Sequence, residues 1–243
     1  MEKTIKLAGI PIGISSLYDS LPNAKEFETA EEPAFTVRVS NKEIVAEQAK
    51  VLREATYEKR IPCPQYSLEE LENTAIYRKI AEILPHYNGL VFHGSAVAVG
   101  EKAYLFTAKS GTGKTTHSRL WLKNIPGSYI VNGDKPVLRL IDGKPFVCGT
   151  PWMGKEHYGC SKNVPLAAVC FLNRGEENRI KKASFSSVLP QLIGQAYRPP
   201  DAELLTKTIR IMEKMGEGVS FYELYCNMSD EAAKLSYAIM SKK

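Results

Sequence analysis

Residues 105–122 read LFTAKSGTGKTTHSRLWL. An apolar run stops at small residues and resumes in a helical pattern. Leu105, Phe106 and Thr107 close a buried strand. Gly111 and Gly113 permit backbone angles that a side chain forbids, so several N–H groups can point into one concavity. A helix starting near Lys114 brings its N-terminus, which favours negative charge, to the same place. The spacing is that of a phosphate-binding loop, G-x-x-x-x-G-K-[ST], with Ala108 where the first glycine belongs and Gly113, Lys114 and Thr115 intact. Phosphate ligands are then expected from Ala108, Lys109, Ser110, Gly111, Thr112, Gly113, Lys114, Thr115 and Thr116. Lys114 reaches the outer phosphates, and the Thr115 hydroxyl holds Mg²⁺.

The rest of the chain sets the bounds. A length of 243 residues suits one large domain or a core with an appendage. Charged residues at 24% and apolar ones at 44% are ordinary for a globular protein. The net charge of +5 is dispersed and suits a phosphate-bearing ligand without calling for a nucleic-acid partner. The densest basic run, Arg179, Lys181 and Lys182, has Glu176 and Glu177 beside it and reads as a solvated face. Five cysteines (Cys63, Cys148, Cys160, Cys170, Cys226) form no C-x-x-C pair, which argues against a zinc site. Their odd number, with no signal-like leader, leads to the expectation of a reducing cytoplasm. No apolar run approaches the roughly 20 residues of a membrane helix.

Residues 1–85 read as an N-terminal α+β extension, and 86–243 as the nucleotide-binding domain. TIKLAGIPIGI and AFTVRV are β-like. Ser40–Glu43 and Ser67–Glu70 are capping boxes. The first opens a helix through about Arg53, before a break at Pro62 and Pro64. The second opens a helix with Leu68, Leu71, Ala75, Ile76, Ile80 and Ile83 on one side, ending near Pro85. GLVFHGSAVAV and KAYLFTA follow as two strands joined at Gly100–Glu101. SYIVNGDKPVLRL reads as two strand pieces around Asp134, and Asp142–Gly143 as a hairpin turn. PLAAVCFLN is a fully apolar, central strand. Helices near 184–197 and 201–215, a strand VSFYELYC and a helix from Ser229 complete the chain. Hairpins mixed with crossovers predict a mixed β-sheet flanked by helices, an α/β fold.

A phosphate loop alone binds nucleotide; phosphoryl transfer also needs an acid that holds the metal, supplied from a neighbouring strand end. YIVNGDKP has that form, and Asp134 is the candidate. HGSAVAV, AKSGTGKTT and NGDK together resemble the HPr kinase/phosphorylase family, over roughly residues 88–175. The loop is also similar to that of ATP-dependent phosphoenolpyruvate carboxykinases. The layout resembles, more closely, small HPr-kinase-related proteins, whereas the first 85 residues do not look like the N-terminal domain of true HPr kinases. The resemblance implies a P-loop fold of the phosphoenolpyruvate carboxykinase/HPr kinase type and ATP as phosphoryl donor. It implies Lys114 and Thr115 as phosphate and metal ligands and Asp134 as the first acid of a pair whose second member is here Lys135. It also places His93 at the family's His-Gly position, facing the γ-phosphate or moving a proton. Ser95 shares its face by strand alternation.

CGTPWMGKEHYGC, residues 148–160, surrounds Trp152, Lys155, Glu156 and His157 with three glycines. Such a loop can close over a site. Lys155 can meet a phosphate, Trp152 can stack on a base or line the acceptor pocket, and Glu156 or His157 can replace the missing base. Arg198, at a stiff turn in AYRPPD, is a candidate donor to substrate phosphate or carboxylate. The leading reading is transfer of the ATP γ-phosphoryl group to a hydroxyl, such as a serine of a peptide or small protein, or a small metabolite. A nucleotide-binding regulator without transfer activity and a carboxykinase-like enzyme stand as alternatives.

Overall fold

Alternation of apolar and polar residues, punctuated by turns that need left-handed backbone, builds the first part of the chain. The computed structural model describes residues 1–57 and 65–242, and within them separates two units, Met1–Ile83 and Leu84–Lys243. Pro62, Cys63 and Pro64 lie outside the described residues.

In the first unit, β1 (Glu2–Leu7) and β2 (Ile10–Ser15) pair antiparallel about Ala8 and Gly9, whose φ values are 51° and 80°. Two successive left-handed residues give the turn that matches strand twist. β3 (Phe35–Arg38) joins β2 in parallel. Helices α1 (Asn41–Tyr57) and α2 (Leu68–Ile83) follow. The box before α2 is reciprocal: Ser67 N–H donates to Glu70 Oε2 at 2.8 Å and Glu70 N–H to Ser67 Oγ at 3.2 Å. Before α1 the box is one-sided, since both the N–H and the hydroxyl of Ser40 donate to Glu43 Oε2 at 2.8 Å. The buried side of α2 includes Leu71, Ala75, Ile76 and Ile80, as expected, and also Glu72 and Ala81. Leu68 is 49% exposed instead, because it occupies the first turn ahead of the packed stripe. Glu72 is buried without cost in unpaired charge: its carboxylate accepts the N–H groups of Leu17 at 2.6 Å and Tyr18 at 3.0 Å.

The second unit is a mixed sheet between two helical layers. Its elements in chain order are β4 (Gly89–Val91), β5 (Ser95–Val99), β6 (Lys102–Thr107), α3 (Lys114–Asn124), β7 (Ser128–Asn132), β8 (Val137–Ile141), β9 (Lys144–Cys148), β10 (Asn163–Arg174), β11 (Arg179–Ala183), α4 (Phe185–Gln195), α5 (Ala202–Gly216), β12 (Ser220–Cys226) and α6 (Asp230–Met240). The strand order is β4-β8-β9-β10-β6-β5-β7, with β12 pairing β10 and β11 pairing β12. β10 is central, parallel to both β6 and β12. Alternation along β6 divides the core: Ala103 and Leu105 face the layer with Val188, Leu192, Ile211 and Met212, while Tyr104 and Phe106 face that with Trp121, Ala233 and Met240. No helix among the described residues is long and apolar enough to cross a membrane.

One expectation changes here, and one strand is added. GLVFHGSAVAV is two strands, not one: β4 pairs with β8, whereas β5 lies between β6 and β7. The chain changes partners at Phe92–Gly94, where a Cβ on Gly94 would come within 3.0 Å of the Phe106 carbonyl oxygen. The basic run 179–182 is exposed but sits on an added strand, β11, antiparallel to β12.

Candidate functional site

β6 ends at Thr107 and α3 begins at Lys114, so residues 108–113 form a loop between a buried strand and a helix N-terminus. Gly111 and Gly113 have φ of 77° and 119°, the left-handed region closed to most side chains. Ala108 is absent from the positive-φ residues, so alanine there carries no backbone strain. The Lys114 ammonium donates to the Ala108 carbonyl oxygen at 3.3 Å and so is folded back over the loop. Burial lowers its pKa, and the nearby Asp134 carboxylate works in the opposite direction. From across the sheet, Arg174 at the end of β10 donates through Nη2 to the Gly111 carbonyl oxygen at 2.7 Å.

Asp134 is held by a buried polar knot. Asn132 Oδ1 accepts the N–H groups of Asp134 at 2.9 Å and Lys135 at 2.8 Å. Asn132 Nδ2 donates to the carbonyl oxygen and to Oγ1 of Thr150, at 3.1 and 3.0 Å, and the Thr150 hydroxyl donates to the Lys135 carbonyl oxygen at 2.8 Å. Asn132 and Thr150 are fully buried. Between Asn132 and Asp134 only glycine fits, since a Cβ on Gly133 would lie 2.8 Å from the Met153 carbonyl oxygen.

His93 lies in the break between β4 and β5, not on a strand, which is how it comes to face Asp134. Its Nδ1 is 3.1 Å from Gln195 Oε1, an oxygen that only accepts, so Nδ1 carries the proton of the neutral ring. Nε2 then directs a lone pair toward Asp134 Oδ1, 3.5 Å away. Burial first, and then the Lys114 charge, lower the His93 pKa; Asp134 and Gln195 oppose this. The ring is therefore neutral at physiological pH, with its basic nitrogen unprotonated. Ser95 is buried, its hydroxyl 2.7 Å from that of Ser118 on α3, and both residues line the same cavity as Asp134.

Two cavities flank the start of α3. The first, about 450 Å³, runs from Gly111, Gly113 and Thr116 past Leu120 to Arg174 and Met228, beyond the C-terminal ends of the parallel strands β6, β10 and β12. Ligands of open α/β sheets bind at that end. The second, about 420 Å³, holds Thr115, Arg119, Asp134, Lys155 and Glu156. Thr115 and Asp134 thus share a cavity. They suit Mg²⁺, which takes few protein oxygens and completes its shell with phosphate oxygens and water. Among the described residues no group of three or more His, Cys, Asp or Glu side chains is placed to hold a metal.

The 149–159 segment is tied down on both sides. Gly149 N–H donates to the Lys162 carbonyl oxygen at 2.9 Å, Cys160 N–H to that of Val131 at 3.1 Å, and Gly159 bridges to Asn132. Trp152 is 6% exposed and lines neither cavity, so it anchors the loop. Lys155 and Glu156 reach the second cavity; His157, exposed with φ of 52°, and Arg198, also exposed, are outside both. Sequence reading passed over Arg119, Arg174, Asn132 and Gln195. Arg119 carried a signal, standing four residues after Thr115 on the same helix face.

No protein-family model matches this chain, and no curated protein matches it. Among solved structures, it is similar to the HPr(Ser) kinase/phosphatase from Coxiella burnetii, at 9% sequence identity over 62% of this chain and 94% of that one, with a TM-score of 0.37.

Proposed function

We propose that the second unit, Leu84–Lys243, binds ATP across the start of α3 and transfers its γ-phosphoryl group to a hydroxyl. The observation that carries this reading is the sharing of one cavity by Thr115 and Asp134, directly behind a glycine loop with Lys114 folded over it. The triphosphate lies against the N–H groups of residues 109–116. The first cavity, with Leu120, Leu172 and Met228, takes the nucleoside. The acceptor enters the second. Thr115 and Asp134 would hold Mg²⁺, which would supply neutralisation of phosphate charge.

Catalysis rests on positioning and electrostatics, because the transition state of phosphoryl transfer is loose. The acceptor oxygen forms a bond to the γ-phosphorus as the bond from phosphorus to the β,γ-bridging oxygen breaks. Lys114 stabilises charge appearing on that bridge. The hydroxyl proton passes to His93 Nε2, whose lone pair the Gln195 contact leaves available, or to Asp134. Such a base adds roughly 10²–10⁴-fold.

A regulator that binds nucleotide without transfer is the second reading, favoured by Lys135 at the position of a second acid. Incubation with γ-labelled ATP, Mg²⁺ and hydroxyl acceptors separates them. Label transfer that is lost in Asp134→Asn supports the kinase. Nucleotide binding without transfer to any acceptor, or to water, supports the regulator.

A further inference from the structure

We propose that the second cavity selects acceptors carrying a carboxylate beside the hydroxyl, with Arg119 and Lys155 as its anion-binding pair. This rests on the reading of that cavity as the acceptor site.

Arg119 is one helical turn beyond Thr115, so their Cβ atoms are about 5–6 Å apart on one face of α3. An acceptor whose hydroxyl meets the γ-phosphate beside Thr115 and Asp134 therefore has its neighbouring substituent within reach of Arg119. Lys155 lines the same cavity from the 149–159 segment and has no ion-pair partner among the described residues. Among the described residues Arg119 forms its ion pair with Glu156, and the two side chains are 50% and 44% exposed. A pair that open to water is weak and exchanges readily for another carboxylate. The Arg119 guanidinium also lies over the Tyr158 ring, 5.9 Å from its centroid, which keeps the fork in the cavity when Glu156 leaves.

The cavity's charges decide its preference. Asp134 is committed to the metal end and Glu156 can turn to solvent, which leaves two cations facing the acceptor. Glu156 then acts as an internal stand-in for the substrate carboxylate. Ile130 and Met153 supply apolar lining, which suits a small hydroxy acid or the carboxylate end of a longer acceptor.

The test measures dissociation constants of N-acetyl-L-serine, its amide, D-glycerate and glycerol for the full-length protein. It is run with Mg²⁺ and a non-hydrolysable ATP analogue, by calorimetry. The acids are expected to bind about tenfold more tightly than their neutral partners, the worth of one charged hydrogen bond. Arg119→Gln and Lys155→Gln each reduce that preference. Glu156→Gln, which removes the internal competitor, strengthens acid binding severalfold. Equal binding of acid and amide, no binding of either, or weaker acid binding in Glu156→Gln overturns the proposal. Binding of the ATP analogue, followed in the same titrations, reports separately on the nucleotide site: its loss would defeat the function reading itself.

Discussion

His93 Nε2 faces Asp134 Oδ1 across 3.5 Å, while Nδ1 of the same ring is tied to Gln195 Oε1 at 3.1 Å. Two acceptors confront each other over a gap that a proton or a cation fills. In the proposed reaction His93 is a base beside Asp134, the proposed metal ligand. Because burial and Lys114 lower its pKa, the acidic limb of the pH–rate profile should fall below the ordinary histidine value of about 6.5, not at it. In His93→Gln the limb should disappear, with turnover reduced about 10²-fold or more. A limb that persists unchanged in the variant assigns the proton to Asp134 alone.

The Asn132 knot should matter to stability more than its size suggests. Asn132→Ala leaves the Asp134 N–H and the buried Thr150 carbonyl oxygen short of partners, while the Lys135 N–H keeps the Trp152 carbonyl oxygen at 3.2 Å and the Thr150 hydroxyl keeps the Lys135 carbonyl oxygen. We expect a loss of about 2–4 kcal/mol in urea unfolding, from unsatisfied groups at about 1–3 kcal/mol each. A loss under about 1 kcal/mol would mean that the segment repacks without it.

His117 predicts a pH-dependent stability. Trp121 Nε1–H donates to Ser236 Oγ at 2.8 Å, and the Ser236 hydroxyl donates to the Ala233 carbonyl oxygen at 2.9 Å. Ser236 Oγ can therefore only accept from His117 Nε2, 3.2 Å away, which leaves Nδ1 a buried acceptor without a partner. Burial pushes the His117 pKa down to about 4. The unfolded chain takes up this proton below about 6.5 and the folded chain only below about 4, so stability present above pH 6.5 is lost as pH falls through that window. The full loss is about 3 kcal/mol, from about 1.4 kcal/mol per pH unit. His117→Leu should show a shallower decline than the wild type in chemical unfolding between these pH values. Parallel curves would contradict the assignment.

What the sequence made legible was local. The loop of residues 108–116 was readable because strand, glycines and helix cap are contiguous, and the Asp142–Gly143 turn because both residues take left-handed backbone, φ 49° and 74°. The break at His93 was not readable: an apolar run does not say that its two halves pair with different strands, β8 and β6. Arg174 meets Gly111 across 63 residues, a contact that only the parallel pairing of β10 with β6 creates. Trp152 looked like a binding residue because glycines surround it; that the residue is only 6% exposed was not legible from those glycines.

The proposed metal ligand, Asp134, can be tested apart from turnover. Asp134→Asn retains the hydrogen bond from its own N–H to Asn132 Oδ1, so the fold should hold. The gain in melting temperature on adding Mg-ATP should shrink, since a neutral amide binds Mg²⁺ poorly. An equal gain in wild type and variant would remove Asp134 from the metal site.

The central claim, that the loop at residues 108–116 holds the nucleotide phosphates, is tested most directly by calorimetric titration of Mg-ATP into the wild-type protein and Lys114→Ala. The Lys114 ammonium, folded back on the Ala108 carbonyl, is the charge best placed to meet the outer phosphates. The wild type should bind Mg-ATP, and the variant should bind at least about tenfold more weakly, a loss of about 1.4 kcal/mol or more. Equal affinity in the two proteins, or no binding to the wild type, would contradict it.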